Sequence, residues 1–199
     1  GLIPRFYDAT KGEVLINGVN VKEYTQESIR SKVAVVMQKA LLFKGTIRDN
    51  VKWGKQDATD EEIMTALEVS QAKEFVEKKD GVLDAFVDQA GKNLSGGQRQ
   101  RLTIARAVVG QPDILILDDS SSALDFATDA ALRNSIRNMT PSPTLFIVSQ
   151  RAASMMHADK IIVLDDGMVT GIGTHKELLA SCEVYQEIYH SQFKTKEEK

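Results

Sequence analysis

The sequence is poor in cysteine, proline and aromatic residues, and it has no long apolar run. Among its 199 residues are one cysteine, four prolines and 6% aromatic side chains. The single Cys182 excludes an internal disulfide and favours a reducing compartment. The apolar runs, such as residues 114–117 and 161–164, are far shorter than the about 20 residues of a membrane-spanning helix. The residues themselves therefore predict no membrane span.

Positive charge is not in surplus either. Lys and Arg number 25 against 28 Asp and Glu, for a net charge of −3. Because non-specific binding to nucleic acid depends on a basic surface, we expect no nucleic-acid partner. With 42% hydrophobic and 27% charged side chains, the composition predicts one globular domain or slightly more, with a sizeable core. No targeting segment opens the chain, and Gly1 reads as the middle of a structured domain.

Apolar patterning predicts an α/β fold. Asn17-Gly18 between two β-branched runs indicates a hairpin, and residues 33–37, 114–117 and 145–148 read as strands buried on both faces. Helices are expected at about 98–109 and 127–138, and behind the Thr59-x-x-Glu62 capping box. Strands that alternate with helices favour a mainly parallel sheet covered on both faces.

A second hairpin is expected near the end of the chain. Residues 160–164 and 168–172 flank an Asp165-Asp166-Gly167 turn. Thr174-x-x-Glu177 then caps one final helix that extends through Tyr189.

Two carboxylates, Asp118 and Asp119, follow the apolar run 114–117. The carboxyl end of a buried parallel strand is where open α/β sheets bind ligands. In nucleoside triphosphatases this pattern is the Walker B strand, whose first Asp holds Mg²⁺ and whose next acid can orient water. Taken alone, the same residues are equally compatible with a strand that ends in a solvated turn.

The string Leu94-Ser95-Gly96-Gly97-Gln98 is a more specific sign of phosphate binding than the two carboxylates. Two glycines let backbone amides approach an anion, Ser95 can donate or cap, and the following helix directs its positive dipole end to the same point. The alternative is a plain Ser-capped helix. Average residue usage gives this string by chance in on the order of one of several thousand chains of this length.

Together these motifs resemble the nucleotide-binding domain of ABC transporters, and the resemblance covers nearly the whole chain. The LSGGQ string at 94–98 corresponds to the family's signature loop, Gln38 to its Q-loop glutamine, and Ser122 to Asp125 to its D-loop. Segments 4–8, 45–50 and 173–175 are similar to the exporter branch, which contains multidrug and lipid exporters.

The resemblance implies a RecA-like P-loop NTPase core, shortened at its N terminus, with a helical subdomain that carries the signature loop. It divides the chain into core and β part at 1–44 and 103–199, and helical subdomain at 45–102. It implies ATP and Mg²⁺ as cofactors, a second nucleotide-binding domain and a transmembrane domain as partners, and a place at the cytoplasmic face of the cell membrane. The implied roles are catalytic for Asp119 and Gln150, metal-binding for Asp118 and Gln38, and cofactor-binding for Gln38, Ser95, Gly96, Gly97, Gln98 and Asp125.

The sequence departs from the family pattern at several positions. No G-x-x-x-x-G-K-[ST] string occurs, so Walker A is missing, and we expect this chain alone to bind ATP poorly. Asp119 stands where the hydrolytic site has Glu, and Gln150 where it has the switch-loop His. Both changes weaken the same site. The shorter carboxylate lies farther from the proton that it would accept, and Gln cannot carry a positive charge. Gln89 also replaces the usual Glu shortly before LSGGQ.

A weakened Walker B side beside an intact signature loop resembles one half of a heterodimeric exporter. The alternatives are a slow homodimer, a non-hydrolysing regulatory subunit and a soluble ABC ATPase that acts in DNA repair or translation. Two further expectations concern single side chains: Trp53 packs rather than binds ligand, and Arg99, Arg101 and Arg106 form a solvated basic face.

Overall fold

A computed structural model describes residues 1–120 and 122–193 of the chain. They form two compact units, Gly1–Phe146 and the residues from Ile147 onward. Strands of the first unit are β1 (Leu15–Ile16), β2 (Val19–Asn20), β3 (Val33–Val36), β4 (Gly45–Thr46), β5 (Phe86–Val87) and β6 (Ile114–Asp118). Its helices are α1 (Gln26–Lys32), α2 (Ile47–Lys52), α3 (Asp60–Val69), α4 (Lys73–Glu77), α5 (Gly96–Val108) and α6 (Phe126–Arg137). Strand β7 (Thr144–Val148) begins in this unit.

The central sheet has the strand order β3-β6-β7. Strands β3 and β6 are parallel, with Val33 opposite Ile114 and Val36 opposite Leu117. Residues Val33 and Val35 share a face with Ile114 and Ile116, and this face packs on a cluster around Ile29. The parallel pair and its helices confirm the α/β prediction.

The outermost strand differs from the prediction of burial on both faces. Thr144, Phe146 and Val148 of β7 are exposed, and none of its residues is fully buried. Because side chains alternate along a strand, these three residues share one face, and that face stays uncovered among the described residues. A run of apolar residues therefore located the strand but not its burial.

The hairpin predicted from Asn17-Gly18 is confirmed. Strands β1 and β2 pair antiparallel across Asn17 and Gly18. Both residues have positive φ, 51° and 79°, as a two-residue turn of this kind requires.

The segment predicted as a helical subdomain, 45–102, contains α2, α3 and α4 and the start of α5. It also contains the two-residue strands β4 and β5, which pair antiparallel. Helices α2 and α3 both contact α5. The boundaries at 45 and 102 remain a prediction.

The second unit contains α7 (Ala152–Met155), β8 (Ile161–Asp165), β9 (Met168–Gly173), α8 (His175–Ser181) and α9 (Glu183–Phe193). Strands β8 and β9 form the expected hairpin. The single final helix predicted from sequence is wrong, because Cys182 has extended backbone angles and divides it into α8 and α9. The break lets Leu178 and Tyr185 pack on the same hairpin residues, Ile161 and Val163.

Two helix starts carry a carboxylate that we expect to make stability depend on pH. The backbone amides of Thr46 and Thr174 donate to Asp49 and Glu177 at 2.8 and 2.7 Å, and these bonds lower the pKa of each carboxyl. A depressed pKa in the fold stabilises it above the unfolded-chain value of about 4, and the contribution is lost as pH falls through the folded pKa. We therefore expect the free energy of unfolding, measured with urea, to fall less between neutral and acid pH in the double variant Asp49→Asn/Glu177→Gln than in the unmodified chain. Parallel curves would contradict this assignment.

Candidate functional site

Gln38 and Asp119 meet at the carboxyl edge of the sheet. They follow β3 and β6, and each lies two residues beyond the paired residues Val36 and Leu117. The Gln38 Nε2 donates to Asp119 Oδ2 at 2.9 Å. The parallel register thus brings together two residues that are 81 apart in sequence and that the sequence analysis assigned to one site.

Asp119 has an unusual backbone conformation for a non-glycine residue. Its φ is 43°, in the left-handed region, directly after the strand ends. Its carbonyl oxygen accepts from the Ser122 hydroxyl at 2.9 Å and from the Ser122 amide at 3.3 Å. This local turn holds the Asp119 side chain on Gln38. Strained backbone of this kind concentrates at functional sites.

The groups that could hold Mg²⁺ are Asp118 and Gln38. Asp118 ends β6, and both side chains line one cleft in the first unit. Because the Gln38 amide nitrogen donates to Asp119, its oxygen remains as a possible ligand. Residues 1–120 and 122–193 contain no group of three or more His, Cys, Asp or Glu side chains suited to a metal. One carboxylate and one amide oxygen still suit Mg²⁺, which takes its other ligands from water and phosphate.

The LSGGQ string forms the start of α5. Ser95 is its N-cap, and its hydroxyl oxygen accepts from the Gln98 amide at 3.2 Å. The Gln98 side-chain oxygen accepts in return from the Ser95 amide at 3.0 Å, which completes a capping box. The amides of Gly96 and Gly97 occupy the first helical turn, where they have no partner within the helix. They are the donors that an anion could use.

The segment predicted as the D-loop lies against this helix start. A Cβ at Gly97 would meet the Ala123 carbonyl oxygen at 3.2 Å, so only glycine fits there without a shift. Asp125 is the N-cap of α6 and accepts from the Thr128 amide at 2.9 Å and hydroxyl at 2.8 Å. These bonds lower the pKa of Asp125. Its carboxylate therefore has a capping role in addition to the predicted role at ATP.

Gln150, the other predicted catalytic residue, belongs to the second unit. Its carbonyl oxygen accepts from Gln192 Nε2 at 2.7 Å, and Gln192 Oε1 accepts from the Ala152 amide at 2.9 Å. Helix α9 therefore fixes the backbone on both sides of Arg151. The catalytic role of Gln150 remains a prediction.

The prediction of a solvated basic face on α5 is wrong. Arg99 donates to the Leu94 carbonyl oxygen at 2.7 Å, and Arg101 to that of Gln71 at 2.7 Å. The third arginine, Arg106, donates to Asn50, and all three side chains are partly buried. These guanidinium groups turn inward because they donate to main-chain carbonyl oxygens of neighbouring segments. Helical periodicity does not indicate such contacts.

Arg106 and Asn50 form a network that sequence reasoning missed. Asn50 is fully buried and holds both the amide and the carbonyl of Phe43, at 2.9 and 2.8 Å. Burial lowers the pKa of Arg106 to about 10, so the group is still charged at neutral pH. The only sequence signal was the exporter-like segment 45–50, which ends in Asn50 without indicating its partner 56 residues away.

Trp53 stacks on Phe43 with ring centroids 4.6 Å apart. Packing was predicted for it, yet 59% of Trp53 is exposed. Gln100 was also missed: it is buried on α5, and its Nε2 has no hydrogen-bond partner among the described residues.

These features define an α/β domain of the P-loop NTPase class. The sheet edge supplies a glutamine and two carboxylates, and a glycine-led helix begins within the same unit. Comparison with known proteins narrows this class. Residues 1–122 match the family model described as ABC transporter.

Relatives and solved structures agree with that match. An uncharacterized ABC transporter ATP-binding protein of Mycobacterium tuberculosis is 45% identical over 194 residues, covering 96% of this chain and 33% of the relative. A putative multidrug export ATP-binding/permease protein of Staphylococcus aureus is 39% identical over 191 residues, with the same shares. The structure of a bacterial Atm1-family ABC exporter with ATP bound has a TM-score of 0.90 and 33% identity, covering 96% of this chain and 34% of that one.

The chain belongs to the ABC transporter family, as its motifs predicted. It spans about one third of the length of the relatives that it matches. Within the described ranges, no helix combines the length and the apolar character that crossing a bilayer requires.

Proposed function

We propose that the chain is the ATP-binding motor domain of an exporter that hydrolyses ATP to drive transport. The observation that supports this best is the juxtaposition of Ser95, Gly96 and Gly97 at the start of α5 with the loop of Ala123. In this proposal two such domains meet head to tail. Each ATP lies between the Walker A side of one domain and the signature loop of the other.

The signature loop can act on a phosphate with what it presents. The Ser95 oxygen accepts in the capping box, so its hydroxyl proton remains available for donation. The amides of Gly96 and Gly97 add two further donors, and the dipole of the 13-residue helix adds positive potential. These groups would complete the site formed by the partner domain.

On the chain's own Walker side, Asp118 and the Gln38 oxygen would hold Mg²⁺ against the phosphates of ATP. The ion would neutralise charge on the phosphates in the transition state. Asp119 would orient the attacking water, and Gln150 would donate to the γ-phosphate. A Walker A segment from the rest of the transporter would be needed for tight binding.

This side is proposed to be the slow site of a heterodimer. Asp119 has one methylene less than the Glu of a hydrolytic site, and its Oδ2 is already bonded to Gln38. A general base contributes about 10²–10⁴ in rate, so a misplaced carboxylate has a large cost. The chain would bind ATP here, turn it over slowly, and complete the partner's faster site with Ser95.

The surface beyond Gln38 is proposed to contact the transmembrane domain of the transporter, at the cytoplasmic face of the membrane. Closure on ATP and opening after hydrolysis would move the membrane helices between inward and outward states. Such coupling requires only that nucleotide binds the two states with different affinity.

ATPase assays on the transporter test this function. We expect slow turnover when the protein is assayed by itself and fast turnover with its partner chain. Ser95→Ala in this chain should abolish the fast turnover, because the hydroxyl acts on ATP held by the partner. Fast turnover by the protein alone would contradict the heterodimer. A turnover rate that Ser95→Ala leaves unchanged would contradict the shared site. For the 199-residue chain alone, calorimetry should show no saturable Mg-ATP binding up to millimolar concentration.

A further inference from the structure

The loop between β7 and α7 carries Gln150, whose side chain is exposed. Among residues 1–120 and 122–193, no group forms a hydrogen bond with the side-chain amide of Gln150. The direction of this side chain therefore depends on the backbone of the loop. Whatever fixes that backbone also decides where the Gln150 amide points.

Gln192, near the end of α9, holds the loop with both ends of its carboxamide. Its Nε2 donates to the carbonyl oxygen of Gln150 at 2.7 Å, and its Oε1 accepts from the Ala152 amide at 2.9 Å. The two bonds lie on either side of Arg151, and they supply the donor and the acceptor that a neighbouring β-strand would offer. A carboxamide suits this arrangement because it carries both groups on one planar end.

The Ala152 amide depends on this contact. Ala152 is the first residue of α7 and is buried, and the first amides of a helix have no acceptor within the helix. The N-cap residue, Arg151, gives the helix start no side-chain hydrogen bond. Gln192 therefore caps α7 from a position 40 residues later in the chain.

Helix α9 is itself fixed by contacts away from the loop. Tyr185 is buried with Ile161 and Val163 of the β8–β9 hairpin, and its hydroxyl lies 2.9 Å from His175 Nδ1. Tyr185 and Gln192 are separated by about two helical turns, so they lie on the same face of α9. The helix accordingly contacts both β8 and α7. The hairpin thus sets the position from which Gln192 holds the loop.

We propose that Gln192 is a positioning residue for Gln150: it fixes the loop backbone at residues 150 and 152 and thereby directs the Gln150 amide to the γ-phosphate of ATP. The contact with ATP rests on the proposed function. The fixation of the loop does not, because it depends on two hydrogen bonds within the second unit. Gln192 is exposed, so its replacement removes these bonds and little packing.

Hydrogen exchange of single amides, followed by NMR on the 199-residue chain, measures how firmly the loop is held. Gln192→Leu retains a side chain of similar size that has neither donor nor acceptor. We expect it to speed the exchange of the Ala152 amide by about tenfold, because that amide loses its acceptor. The Cys182 amide, which donates to the Leu178 carbonyl oxygen at 2.9 Å, should exchange as before and shows that the unit stays folded.

Gln186→Leu is the matched control, since it is the same substitution on the same helix. Gln186 Nε2 donates to the carbonyl oxygen of Leu179 at 2.8 Å and has no bond to the loop. This variant should leave the exchange rate of the Ala152 amide unchanged.

Turnover of ATP measures the effect on Gln150. In a transporter whose partner site is silenced by Ser95→Ala, we expect Gln192→Leu to lower kcat of the chain's own Walker side about tenfold and to change KM by less than about twofold. The split follows because Gln150 would act on the γ-phosphate and not on the rest of ATP. In a Gln150→Ala background, Gln192→Leu should lower kcat by less than about twofold, because no side-chain amide is left to direct.

Several results would overturn the proposal. They are unchanged exchange of the Ala152 amide in Gln192→Leu, faster exchange with unchanged kcat, a rise in KM alone, or a loss of kcat that is the same with and without Gln150. Absence of turnover on the chain's own Walker side in every variant would instead contradict the proposed function. The exchange rates would then still decide whether Gln192 fixes the loop.

Discussion

Gly54→Ala is expected to lower the free energy of unfolding by about 3 kcal/mol. A Cβ at Gly54 would overlap the carbonyl oxygen of Arg106 and come within 2.8 Å of Val109 Cγ1. That carbonyl belongs to the last turns of α5, so it cannot retreat without displacing the helix. Urea denaturation followed by circular dichroism gives the free energy.

Gly96→Ala, at the first residue of α5, is the matched control. The nearest heavy atoms to its new Cβ would be Ala123 Cβ and Arg99 Nη2, both at 3.9 Å. With ordinary contacts and a helical backbone, it should change stability by about 1 kcal/mol at most. Equal stability of the two variants would show that the ends of α2 and α5 can separate at little cost.

At the site that we propose to be slow, Asp119→Glu combined with Gln150→His is expected to raise the rate of ATP turnover by about 10²-fold. The added methylene extends the carboxylate by about 1.5 Å. The longer side chain no longer matches the distance at which Asp119 accepts the hydrogen bond from Gln38. Histidine adds a group that can carry positive charge near neutral pH. The measurement is ATPase turnover of the assembled transporter, in a background where Ser95→Ala has abolished the partner's site.

Asp125→Glu provides the control, since it makes the same one-methylene change at a different carboxylate. Asp125 caps α6 through Thr128, so lengthening it should not raise turnover. If the double variant at Asp119 and Gln150 left turnover unchanged, the weakness of this site would lie elsewhere.

Much of this fold follows from local patterns. Asn17-Gly18 specified its turn because few residues tolerate positive φ, and Thr59 and Thr174 specified helix starts because a side-chain oxygen three residues before Glu completes a capping box. The meeting of Gln38 with Asp119 was also predictable, because parallel strands end at one edge.

What the sequence did not reveal depends on partners distant in the chain. The inward turn of Arg106 requires Asn50 and Leu41, which lie 56 and 65 residues away. The division of α8 from α9 at Cys182 depends on packing against β8, and the exposure of β7 depends on whether another element covers its face. Neither helical periodicity nor residue type encodes such arrangements.

Helix α5 connects the signature loop with the cleft that Gln38 and Asp118 line. Its first turn presents Ser95 and the glycines, and its last turns form one wall of the cleft through Thr103, Arg106 and Ala107. Thirteen helical residues make a rod about 20 Å long. Because a helix is a stiff element, a displacement of Arg106 near one end would also displace Ser95 at the other. Changes of structure at the cleft and at the start of α5 are therefore mechanically coupled.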